Sequence, residues 1–157
     1  MRVLGFDPGT ATTGYGVVER KGSRLIYVAH GAIVTPPDLH FSKRLRLIFE
    51  EASALIEQHH PDAVAIEKIY FSQNVTTGIS VAQARGVLTV AAALANLPVV
   101  EFSPLEVKNA VVGYGKAAKR QVQEMVKIIL NLSELPKPDD AADALALAIC
   151  QLHGGRL

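Results

Sequence analysis

The apolar pattern of this chain changes period after Pro36 and Pro37, and the change restricts its fold class. Up to residue 37 the pattern reads as strands. Arg2 to Phe6 is mostly apolar, "TGYGVVER" resumes as a second run, and "SRLIYVAHGAIV" is a longer third one rich in β-branched and aromatic residues. The short turns between these runs predict an antiparallel meander. Past Pro36 and Pro37, Leu45, Ile48, Phe49, Ala52, Leu55 and Ile56 recur at helical spacing with charged residues between them, which predicts an amphipathic helix closed by His59, His60 and Pro61. "DAVAIE" then reads as a buried strand reached through a helical crossover, hence parallel to one of the first three. Val75 to Leu97 is helical in character, with Gly78 and Gly86 as weak points. "PVVEFS" is a fifth strand, and two further helical regions follow. In the first, Val122, Met125, Val126 and Ile129 mark one apolar face; the second is "KPDDAADALALAICQLH", with Pro138 ahead of it and Asp139 or Asp140 as its cap. The expected fold is α/β: a five-stranded mixed sheet, three antiparallel strands followed by two parallel ones, flanked by helices.

At 157 residues the chain is expected to form one domain, 1–157, with a core that needs no covalent staple. Cys150 is the only cysteine, so it can form no internal disulfide, and it reads as core packing in a reduced compartment. "GVLTVAAALANLPVV" is too short for a bilayer and is interrupted by Asn96 and Pro98, and the first residues lack the layout of a signal peptide. A cytoplasmic protein without a membrane role is the expectation. The net charge of +1 argues against a protein coated in positive charge. Between Ser103 and Ile128, however, Lys108, Lys116, Lys119, Arg120 and Lys127 face only Glu106 and Glu124, so that segment is basic.

Two of the expected buried strands end on an acid: "VLGFD" on Asp7 and "AVAIE" on Glu67. If these strands are parallel neighbours, their acids share the sheet edge at which open α/β sheets place ligands. Asp140 and Asp143, three residues apart, lie on one face of the last helix, whose small residues in "AADALALA" suit close packing on a sheet. Asp139 is most simply a cap, Asp140 is near enough to the helix start to serve the dipole, and a lone acid such as Glu67 can be turn chemistry. Asp143 lies a turn inside an apolar helix, where capping does not explain it. Carboxylates about 4 Å apart repel by roughly 4 kcal/mol per pair at an effective dielectric of about 20, so a cluster of four requires cations or protons. Hard divalent ions with oxygen ligands, magnesium above all, meet that requirement and can serve phosphodiester hydrolysis. The five histidines show no zinc-like spacing with cysteine, His153 reads as a surface residue, and no Walker or G-x-G-x-x-G loop is present.

"GFDPGTATTGYGVV", "VAIEKIYFSQN", "AQARGV", "VKNAVVGYGKAAKRQVQEMV" and "DDAADALALAICQLH" together resemble the RuvC family of Holliday junction resolvases, in order and over essentially the whole chain. The resemblance implies a ribonuclease-H-like fold. It also implies a homodimer that resolves four-way DNA junctions by paired symmetric nicks in homologous recombination and DNA repair, with two magnesium ions per active site and manganese as an alternative. It assigns the catalytic, metal-binding carboxylates to Asp7, Glu67, Asp140 and Asp143, and leaves Asp139 outside the set. Family members can carry a histidine where Asp140 stands, which makes Asp140 the least demanding of the four. Lys108, Lys116 and Lys119 match positions used against the DNA backbone, a solvated helix face being the other reading of these lysines, while Arg120 stays undecided. Tyr70 matches an aromatic position beside the cleavage site, and its neighbour Phe71 reads as core. The branch-migration proteins RuvA and RuvB are implied partners.

The Ala-rich stretch from Ser80 to Leu94 is a candidate dimer face, although burial against its own sheet would give the same sequence pattern. Two rival functions remain. One is an ATP-binding domain of the actin, Hsp70 and sugar-kinase type, which shares the opening strand, acid, Gly-Thr turn and second strand. The other is a junction-binding module without catalysis.

Overall fold

A computed structural model describes residues 1–69 and 75–154. The three expected strands are β1 (Arg2–Asp7), β2 (Thr12–Lys21) and β3 (Arg24–Val34), followed by α1 (Phe41–His59), β4 (Ala63–Glu67), α2 (Val75–Leu94) and β5 (Val99–Phe102). Three further helices follow among the described residues: α3 (Pro104–Val111), α4 (Lys119–Ile129) and α5 (Asp139–Gly154). The sheet order is β3-β2-β1-β4-β5, with β1–β2 and β2–β3 antiparallel and β1–β4 and β4–β5 parallel. This is the mixed sheet expected from the period change.

Alternation along the strands builds two cores. Leu4, Phe6, Val17, Val64 and Ile66 face α1 and α2, meeting Ile48, Ala52, Ala84 and Leu88. Val3, Val18, Ala65 and Phe102 face the other way, onto Val107, Val122, Val126 and the buried length of α5, where Cys150 lies in the core as expected. Helix α1 ends as its sequence suggests: His60 takes a left-handed conformation (φ 46°) and its N–H closes on the Ile56 carbonyl.

Two details differ from the expectations. Neither Asp139 nor Asp140 caps α5. Pro138 does so with its backbone, its carbonyl accepting from Ala141 N–H at 2.9 Å, so the two acids are the first helical residues, where they complement the dipole. Gly14 and Gly16 both lie inside β2 with ordinary negative φ. Their use is close approach: a Cβ on Gly14 would collide with the Asp140 carbonyl, and one on Gly16 with the backbone of Leu145. Finally, α2 runs for 20 residues from Val75 and is long and apolar enough, by length and composition alone, to cross a membrane. The stretch read as too short began only at Gly86. The helix nonetheless packs Ala84, Leu88, Ala91 and Ala92 into the core, and its Arg85 pairs with Glu101 of β5.

Candidate active site

The site forms where the parallel strands end. Phe6 of β1 is in register with Ile66 of β4, so the next residues, Asp7 and Glu67, leave the same sheet edge. Beyond Asp7 the chain turns through Pro8 and Gly9, and the turn is tied by Thr13, whose buried hydroxyl donates to the Gly9 carbonyl (2.6 Å) and accepts from the Gly9 N–H (3.3 Å). Helix α5 crosses this edge from above. Because Gly5 and Gly16 leave no side chain beneath it, its backbone rests on β1 and β2 and lowers Asp140 and Asp143 toward Asp7.

The result is three half-buried carboxylates, Asp7, Asp140 and Asp143, with one oxygen from each lying within 4.8 Å of the others. Glu67 stands outside that trio but near enough for its charge to act on Asp7. Burial, the neighbouring charges of Glu67, Asp143 and Asp140, and a hydrogen bond with Asp143 push the Asp7 carboxyl up to about 9. Burial and the charge of Asp143 also raise Glu67, against the opposing pull of Lys119. Burial raises Asp143, although Lys119 restrains the shift. Burial alone would lower the Lys119 ammonium, but Asp143, 3.3 Å away, together with Asp139 and Asp140, holds it above its usual range. Carboxylates gathered this closely are stable only with protons or cations among them, and an all-oxygen donor set of this kind fits a hard divalent ion.

Beside the acids, a cleft of about 320 Å³ is lined by Glu67, Lys108, Lys119 and Asp143 over a floor that includes Val107 and Val122. Two of the three expected DNA-facing lysines therefore flank the carboxylates. Lys116 is exposed on the α3–α4 connection, outside the lining of this cleft. Arg120 pairs with Glu124 at 3.1 Å along α4, and His153 is exposed as expected. Tyr70 and Phe71 lie outside the described residues.

A family model described as crossover junction endodeoxyribonuclease RuvC matches residues 3–151. The chain belongs to the RuvC family. Among its RuvC relatives, the protein so named from Syntrophomonas wolfei is 55% identical over 157 residues, all of this chain and 91% of that one. Its counterpart from Thermotoga petrophila is 53% identical over 150 residues, covering 96% of this chain and 91% of that one. Thermus thermophilus RuvC, solved in complex with Holliday junction substrate, superposes with a TM-score of 0.94 at 36% identity, covering 99% of this chain and 95% of its own. The yeast mitochondrial resolvase Ydc2 shares the fold at a TM-score of 0.70 and 17% identity.

Sequence reasoning missed the supports of this RuvC site. Ser103 and Glu106 form a reciprocal capping box at the start of α3, and Glu106 also meets Lys68, the residue after Glu67, at 3.9 Å. The S-x-x-E pattern ahead of "VKNAVV" is a legible signal for that cap. A second support joins distant segments: Arg44 Nε donates to Thr35 Oγ1 (2.7 Å), Thr35 donates to the Thr10 carbonyl (2.6 Å), and Thr10 Oγ1 donates to the Ser80 carbonyl (3.1 Å). It ties the turn after Asp7 to α1 and α2, and no local pattern announces it.

Proposed function

We propose that this protein is a metal-dependent endodeoxyribonuclease that resolves four-way DNA junctions by paired, symmetric nicks, serving homologous recombination and repair. The observation that carries the reading is the gathering of Asp7, Asp140 and Asp143, with Glu67 alongside, in a chain matched to the resolvase family over nearly its whole length. Asp7, Glu67, Asp140 and Asp143 are the ligands and catalytic carboxylates of this proposal, and magnesium is the proposed ion, two per site, with manganese as the alternative. When bound, such ions supply charge neutralisation and activation of water at the phosphodiester. The protein's own part is placement. β1 and β4 fix Asp7 and Glu67 at one edge, α5 brings Asp140 and Asp143 to them, and Lys108 and Lys119 set positive charge beside the place of the phosphate. Lys116 and Tyr70 are proposed as further DNA contacts.

The proposed active form is a homodimer of single-domain chains, since a junction offers two related strands and each chain one site. Its support is the half of α2 turned away from the core: Ile79, Val90 and Leu94 are all exposed, and Val87 and Val90 share an apolar groove with Leu45 and Phe49 of α1. Docking of RuvA and RuvB and a cytoplasmic location complete the reading.

The test is a synthetic four-way junction with and without magnesium. Symmetric nicking that needs the ion, with Asp7→Asn abolishing cleavage and sparing junction binding, is the expected result. Cleavage in chelator, or equal cleavage of linear duplex, would overturn it. ATP binding by the isolated chain would favour the kinase-like rival.

A further inference from the structure

The connection between α3 and α4 presents an aromatic ring, Tyr114, whose side chain makes no hydrogen bond among the described residues. Gly113 ends α3 in a left-handed conformation (φ 82°), with its N–H on the Asn109 carbonyl at 3.0 Å. Gly115 then lies so close to the Leu105 and Asn109 side chains that a Cβ there would strike Leu105. Ala117, 2% exposed, closes the turn by donating to the Tyr114 carbonyl at 3.1 Å. The backbone on both sides of Tyr114 is thus pinned, while Tyr114 is 56% exposed.

The surroundings say what such a ring can meet. Leu105, 57% exposed, is one turn from Lys108 on the same helix, and Lys108 lines the acidic cleft. Lys116 is exposed two residues beyond Tyr114. Of the acids in this segment, Glu106 is engaged in its capping box and Glu124 pairs with Arg120. Among the described residues, neither Lys108 nor Lys116 has a carboxylate partner within ion-pair distance. A flat apolar surface between uncompensated cations, continuous with the cleft, complements a nucleic-acid strand, which alternates charged phosphates with flat apolar bases and sugars.

We propose that Tyr114 is a DNA contact, its ring packing against a base or sugar of the strand that runs from the acidic cleft across the α3–α4 turn, with Lys108 and Lys116 on the phosphates to either side. The contact rests on the proposed junction nuclease reading and adds to it a non-ionic component of grip that is fixed by a rigid turn.

The experiment is a fluorescence-anisotropy titration of labelled four-way junction and linear duplex in chelator, repeated from about 50 to 200 mM salt. Wild type is compared with Tyr114→Ala, Tyr114→Phe and Lys116→Ala. Tyr114→Ala is expected to weaken junction binding about fivefold or more at every salt concentration, as loss of one aromatic stack does, with the salt slope unchanged. Tyr114→Phe keeps the ring and should bind like wild type. Lys116→Ala should instead reduce the magnitude of the slope by about 0.9, the loss of one phosphate contact. Wild-type binding by Tyr114→Ala, or a loss seen equally in Tyr114→Phe, or a changed slope in Tyr114→Ala, would each overturn the proposal. Failure of the wild type to prefer the junction over duplex would count against the nuclease reading instead, and the duplex titrations would still decide the Tyr114 contact. Unchanged thermal midpoints confirm that the exposed substitutions leave the fold intact.

Discussion

At Asp7, burial and like charge act on one carboxyl. Its ordinary value is 3.8, and in the folded, metal-free chain it is pushed up to about 9. Between those values the native state holds a proton that the unfolded chain has released, so the stability of the metal-free protein falls as pH rises across the window. Replacing the acid by a neutral side chain that needs no proton should therefore stabilise. In chelator at pH 8, Asp7→Asn is expected to gain at least about 1 kcal/mol over wild type, read as a rise in thermal midpoint of roughly 2–4 °C per kcal/mol. At pH 5, close to the ordinary value of the unfolded carboxyl, holding that proton costs the native state less and the gain should shrink; an equal gain at both pH values would refute the argument. Magnesium is expected to raise the midpoint of the wild type and to have little effect on Asp7→Asn. Lys119 contributes the opposite charge to the same cluster. With its ammonium on Asp143, Lys119→Gln should tighten manganese binding by about two- to fivefold in calorimetry, the scale of a partly exposed ion pair, while slowing junction cleavage. Weaker manganese binding by this variant would show that the lysine does not compete with the ion.

At the scale of elements, the site depends on how low α5 sits on the sheet. Gly14→Ala places a methyl against the Asp140 carbonyl, so the start of α5 must lift. The expected cost is about 1–3 kcal/mol in chemical denaturation, the range for overpacking, together with loss of the magnesium-induced rise in midpoint. A variant that loses stability but keeps the full magnesium effect would separate helix height from the metal site. This dependence also explains what the sequence could reveal. Strand-terminal Asp7 and Glu67 and the i, i+3 pair on α5 follow from periodicity, because each belongs to a repeat that a few residues define. The small residues of "AADALALA" rightly announced a close-packed helix. What Gly14 and Gly16 approach was not legible, since a glycine near a turn and a glycine beneath a crossing helix look alike until the crossing is known. The link from Arg44 through Thr35 to Thr10 was illegible for the same reason: its members belong to three separated segments, and only the folded sheet brings them together.

At the scale of the whole molecule, the described residues of one chain present one acidic cluster, and paired nicking requires two held in fixed relation. In the proposed dimer the face that holds them is the outer side of α2, where Val90 and Leu94 are 52% and 70% exposed in a helix whose inner side is packed into the core. An apolar surface of this kind is costly to leave in water and is more economically covered by a second copy of itself, which a two-fold axis allows. Charge placed there should act on assembly without touching the acids. Val90→Asp and Leu94→Asp, combined, are expected to shift the protein from dimer to monomer in sedimentation velocity, with an unchanged circular dichroism spectrum. On a supercoiled plasmid carrying an extruded cruciform, coupled nicks give linear product directly, whereas independent nicks give a nicked circle first. The double variant should accumulate the nicked circle. A monomer that still produced linear DNA without that intermediate would mean that symmetry of the enzyme is not what couples the cuts, and a double variant that remained dimeric would place the interface on another face.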